Sequence, residues 1–154
     1  MEELIEYRSR LLDRLSAAAG EFRSACLAVH DPAAPIGGGW NVHQIAAHTR
    51  DVDKMVYGLR ARRTLKENNP EFPNFDGEAY MAAHYDPAQP LQDILDALVS
   101  SLEELAQLLR GLNGAAWARE SRHETQGAGL TLQVWVERSL QHIEEHLATV
   151  RKAR

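Results

Sequence analysis

The sequence has a single cysteine, Cys26, so no disulfide can close within the chain, and no histidine or lysine flanks it to activate a thiolate. A reducing, cytoplasmic setting is the expectation. Long apolar runs are lacking as well: uninterrupted stretches reach only a few residues, against the roughly 20 needed to cross a bilayer. The acidic start, with Glu2, Glu3 and Glu6, has none of the charge pattern of a signal peptide, and no membrane partner is expected. Positive charge is in deficit. A formal net charge of −5 repels a phosphate backbone unless the basic residues gather on one face. Residues 50–66 hold a local basic run of Arg50, Lys54, Arg60, Arg62, Arg63 and Lys66, which reads as the solvated face of a helix, so nucleic acid is not an expected partner. The chain also shows no convincing alternating segment of the kind that makes strands, and no internal repeat.

What is present suits one compact domain over residues 1–154, with 44% hydrophobic and 25% charged content. Residues 3–27 carry Leu4, Ile5, Leu11, Leu12, Leu15, Ala18, Ala19, Phe22 and Cys26, mostly at steps of three, four or seven, which predicts an amphipathic helix. Pro32, Pro35 and the run Gly37-Gly38-Gly39 then enforce a loop. Asn41 with Gln44 three residues on reads as a capping box, with Trp40 stapled to Ile45, so a second helix begins near Val42. Its inward stripe is Ile45, His48, Val52, Met55, Val56 and Leu59, and it ends before residues 67–70. The long connection over residues 70–85 is expected to pack on the bundle and to hold a short helix over about 76–85. Pro90 opens a third long helix, striped with Leu91, Ile94, Leu95, Leu98, Leu102, Leu105, Leu108, Leu109 and Leu112. Thr131 caps a fourth, with Leu130 placed to staple onto Trp135. Four long amphipathic helices point to an all-α bundle.

His142 and His146, four residues apart, share one helix face, the arrangement two ligands of one ion require. Steps of three and four from this pair reach Ser139, Trp135, Thr131 and Val150, so both look inward; His48, between Ile45 and Val52, also interrupts an apolar stripe. Several buried imidazoles are costly unless each finds a partner, and one divalent ion would satisfy all three together. The competing reading is three separate core histidines, each hydrogen-bonded to a neighbour. His30, His43, His84 and His123 are expected to be solvated. Residues 142–146 match the H-x-x-E-H pattern of a zinc peptidase class, but the all-helical pattern and the third histidine argue against that fold. Glu145 is the candidate to orient a histidine or take a proton, set against a solvated helix glutamate.

Gly39-Trp40-Asn41-Val42 leading into Ile45-Ala46-Ala47-His48, the aromatic-rich connection, Pro90-Leu91, Arg122-His123 with residues 127–132, and residues 142–146 follow one another in an order that resembles the DinB/YfiT-like metalloenzyme superfamily, specifically its DinB-like members. The resemblance covers nearly the whole chain. It implies an up-down-down-up four-helix bundle and a three-histidine metal site built from His48, His142 and His146. Characterised relatives include S-transferases that use bacillithiol or related low-molecular-weight thiols, and a mycothiol-dependent isomerase. No thiol-binding residue is carried over by motif.

Three neutral imidazoles leave coordination positions open, as a catalytic site needs, and suit zinc, nickel or iron. The expectation is therefore a metal-dependent enzyme, a thiol S-transferase or a hydrolase, with Arg50, Lys54 and the 70–85 connection as walls for an anionic small molecule. The alternative is a non-enzymatic metal or small-molecule binding module acting as a homodimer.

Overall fold

In the computed structural model, which describes residues 2–153, four local caps set the helix starts. Asn41 accepts the Gln44 backbone N–H at 2.7 Å while its own N–H donates to the Gln44 side chain at 2.9 Å, opening α2 (Val42–Val52). Thr131 accepts from Val134 and opens α7 (Leu132–Val150); Asp76 and Asn113 do the same for the short helices α4 (Gly77–His84) and α6 (Gly114–Trp117). The remaining helices are α1 (Glu2–Ala28), α3 (Gly58–Lys66) and α5 (Leu91–Leu109), the last with Pro90 at its N-cap.

Between α2 and α3 the helix does not stop. Asp53–Tyr57 form a π-helical turn, so residues 42–66 make one rod. Gly58 closes that turn, and a Cβ there would stand 2.6 Å from the Asp53 carbonyl oxygen and 2.9 Å from the Arg62 guanidinium. In an ordinary helix Gly→Ala gains up to about 1 kcal/mol. Here the backbone oxygen blocks it, and Gly58→Ala is expected to cost about 1–3 kcal/mol, read as a lower urea midpoint. An unchanged or raised midpoint would show that the turn relaxes without cost.

Leu15, Phe22, Ile94, Leu98, Leu102, Leu105, Trp135 and Ile143 are fully or almost fully buried and form the core between the long helices. Cross-helix contacts fix the directions. Arg8 with Gln133, Arg14 with Glu144 and Arg151 with Glu21 place α1 parallel to α7; Arg23 with Asp96 and Arg110 with Asp13 place it antiparallel to α5. His48 beside His142, and Arg60 over Trp135, make the α2–α3 rod antiparallel to α7. Such exposed ion pairs add little stability each; here they mark register. Four positions assigned to inward stripes face solvent instead: Leu4, Ile5, Met55 and Leu108, with Ile5 65% exposed. Met55 lies inside the π turn, where the helical period on which its assignment rested no longer holds.

The all-helical expectation needs one correction. A three-stranded sheet is present: β1 (Glu71–Phe72) pairs in parallel with β2 (Glu120–His123), which pairs antiparallel with β3 (Gly127–Thr131). Gly127 and Gly129 sit at φ of +92° and +75°, backbone that a side chain disfavours. The sheet is tied to the bundle through Trp135, whose indole N–H donates to Ser121 Oγ at 2.7 Å and whose ring meets buried Phe72 edge-on at 5.8 Å.

Candidate metal centre

His48 on α2 and His142 and His146 on α7 come together where the rod crosses α7. Nε2 of His142 lies 3.3 Å from Nε2 of His48 and 3.0 Å from Nε2 of His146, and one nitrogen of each ring falls within 4.8 Å of the others. Nitrogens bound tetrahedrally to one zinc at about 2.0–2.1 Å stand about 3.3–3.4 Å apart. The two measured separations lie close enough to that spacing for the three nitrogens to serve one small divalent ion. The charge state of the donor set fits too. Burial, then the neighbouring imidazoles, push the His142 pKa down to about 3; burial, then His48, push His146 down to about 4. His48 is lowered by burial, partly offset by the Asp51 carboxylate. His142 and His146 are therefore neutral at pH 7, His48 is shifted towards its neutral form, and neutral rings offer lone pairs.

Aromatic rings pack around the group. Trp40 lies 5.0 Å from His48 and Tyr57 lies 5.6 Å from His142, centroid to centroid. His48 also borders an open hollow of about 630 Å³, lined by Trp40, Asn74, Phe75, Asp76, Gly77 and Glu78. Residues of the 70–85 connection thus wall the site, as expected. Gly77 is the close neighbour: a Cβ on it would stand 3.1 Å from His48 Cε1. Gly77→Ala is expected to tilt the imidazole and weaken metal affinity about 10–100-fold, the range seen when ligand positioning is disturbed; a competition titration with a chromogenic chelator reads it. Unchanged affinity would show that the ring has room to move.

The other candidates go elsewhere. Glu145 is exposed, accepts from Gln141 at 3.2 Å and lines the groove between α1 and α7, outside the histidine group. Arg50 and Lys54 line a separate hollow of about 380 Å³ with Tyr80 and His84, and Arg50 pairs with Asp51. His30 and His84 are exposed, as expected. His43 and His123 are not. His43 is half-buried, 2.5 Å from the Tyr85 hydroxyl and 2.6 Å from the Gln89 carbonyl oxygen; His123 is buried and its Nδ1 accepts from the backbone N–H groups of Thr125 and Gln126. Cys26 is buried, which pushes its thiol up to about 12 and leaves it inert. Tyr57 and Gly77 went unread because neither has a local signature. Trp40, assigned to a staple, turns its ring to His48.

The DinB superfamily model matches residues 1–150. The chain belongs to the DinB superfamily. Comparison with curated proteins gives no match. Among solved structures, this DinB protein is similar to YfiT from Bacillus subtilis, at 22% identity and a TM-score of 0.84 over 94% of this chain and 84% of that one. YfiT is described as a probable metal-dependent hydrolase with an unusual four-helix bundle topology. At that identity the likeness shows the fold, a mostly helical bundle; this chain also carries the small three-stranded sheet. Among the described residues no helix is long and apolar enough to cross a membrane.

Proposed function

We propose that this protein is a divalent-metal-dependent enzyme acting on a small molecule, and that it transfers a low-molecular-weight thiol to an electrophile. The observation that carries the reading is the half-buried group of His48, His142 and His146, neutral and mutually in contact, bordering an open hollow. A closed structural site would bring a fourth protein ligand, and none joins this group among the described residues. His48, His142 and His146 would hold zinc, nickel or iron with three uncharged ligands, and the ion's undiminished charge would acidify a thiol or a water molecule. Trp40 and Tyr57 set aromatic rings against the histidines, Phe75 lines the hollow, and Gly77 leaves His48 its space. The helix directions support the up-down-down-up order, in which α7 and the central rod lie side by side and can share a site. Hydrolysis is the second reading, favoured by the description of YfiT.

The protein reloaded with zinc, nickel or ferrous iron should convert 1-chloro-2,4-dinitrobenzene with L-cysteine as donor. The rate should exceed that of the metal-free protein and of His142→Ala at least tenfold. Metal-dependent hydrolysis of an activated ester without thiol-dependent conversion would replace transfer with hydrolysis.

A further inference from the structure

Arg60 is 5% exposed, yet among the described residues no carboxylate pairs with it. Its guanidinium lies 4.8 Å over the Trp135 ring and 5.7 Å from that of Phe72, and one N–H donates to the Pro73 carbonyl at 3.0 Å. A second guanidinium, of half-buried Arg138, lies 5.2 Å from the same indole and donates to Gln126 at 2.5 Å. Neither forms an ion pair among the described residues, whereas Arg14, Arg23, Arg63 and Arg110 all do. Burying a charge without a counter-charge is among the costlier things a fold can do, and here a second like charge shares the same ring. Burial and the charge of Arg138 both lower the Arg60 pKa, although Tyr57 opposes them. Burial, Arg60 and Arg138 lower the pKa of buried His123, although Glu124 opposes them. Glu124, whose charge also reaches His123, is exposed and accepts from Asn74.

The pair stands beside the metal centre. Arg138 precedes His142 by one turn of α7, a rise of about 6 Å. Arg60 follows Tyr57 by three residues on α3, and the Tyr57 ring lies against His142. Pro73, which Arg60 holds, leads directly into the Asn74–Glu78 wall of the His48 hollow.

We propose that Arg60 and Arg138, whose guanidiniums both approach the Trp135 ring, form an anion subsite that binds a carboxylate or phosphate group of the molecule acted on at the three histidines. The fork of N–H donors on a guanidinium matches such an oxyanion. The subsite rests on reading the histidines as an active site, and it names the substrate class as a small organic anion.

The test follows the indole N–H signals of Trp40, Trp117 and Trp135 by NMR in the full chain, metal-free and zinc-loaded, with Trp135 assigned through Trp40→Phe and Trp117→Phe. Sodium acetate and inorganic phosphate are titrated separately at constant ionic strength. A saturable shift of the Trp135 signal is expected with at least one of them, and the one that acts identifies the group. Arg138→Gln should raise the apparent Kd about tenfold or more, the worth of a charged hydrogen bond, with Arg138→Lys between the two. His48→Ala should lose the metal and keep the anion response, so failure of the metal reading and failure of the subsite give different results. No saturable shift with either anion, an unchanged Kd in Arg138→Gln, or loss of the response in His48→Ala alone would overturn the proposal.

Discussion

Replacing any one of His48, His142 and His146 with alanine is expected to remove most of the bound divalent ion, and a second replacement should then change little. The three Nε2 atoms lie so close that they act as one ligand set, and residues that share a partner give strongly non-additive losses. Metal at 100 times its Kd stabilises the folded wild type by about 2.7 kcal/mol; that increment should vanish in all three single variants. His43→Ala is the control on the same helix. It breaks contacts with Tyr85 and Gln89, so it should lower the melting temperature while keeping both metal and increment. Separate core histidines would instead give roughly additive costs and no dependence on metal. Full metal occupancy in His48→Ala, measured by elemental analysis, would reduce the site to the two ligands of α7.

Without metal, the protein should lose stability steeply as pH falls from about 6.5 towards 4. In the unfolded chain each histidine takes up a proton near its ordinary value of 6.5; in the folded chain burial delays this to about 3 for His142 and about 4 for His146, and lowers His48 in the same direction. The unfolded state therefore binds more protons throughout that window. A group with a depressed folded pKa contributes stability that is complete above 6.5 and is lost on acidification, at up to about 1.4 kcal/mol per pH unit for each histidine. Zinc should shift the loss to lower pH, because the ion competes with the same protons. Urea unfolding at a series of pH values checks this against the triple variant H48Q/H142Q/H146Q, whose slope between pH 4 and 6.5 should be shallower by more than one proton. Parallel slopes would mean that the rings protonate freely in the folded state.

The helix starts and the histidine group were legible because both rest on short-range chemistry. Asn41 with Gln44, and Thr131 with Val134, are caps three residues long. His142 and His146 sit one turn apart, and their stripe shows which way they face. The sheet was not legible for the opposite reason. β1 is two residues long, and its register pairs Glu71 with Arg122 and Phe72 with His123, about 50 positions away. Gly127 and Gly129 look like loop residues yet occupy strand β3. His123 read as solvated because nothing near it in sequence reveals that β2 turns it inward. Arg60 sat within a basic run whose surface reading suits Arg63, which pairs with Glu67, and not Arg60 itself. Periodicity assumes an unbroken α-helix, and the turn at Asp53–Tyr57 breaks that assumption where Met55 was assigned.

That turn also sets an angular phase. Twelve residues separate His48 from Arg60, and at about 100° per residue an uninterrupted α-helix would carry them to about 120° apart. A π turn takes up about one extra residue, which winds back nearly all of that difference. The metal-binding imidazole and the buried guanidinium can then look out from the same side of one rod towards α7, one reaching His142 and the other Trp135. Local regularity and the geometry of the seam are therefore in opposition. A more perfectly wound helix of the same residues would rotate Arg60 away from Trp135, and the loosened turn is what keeps both ends of the seam in alignment.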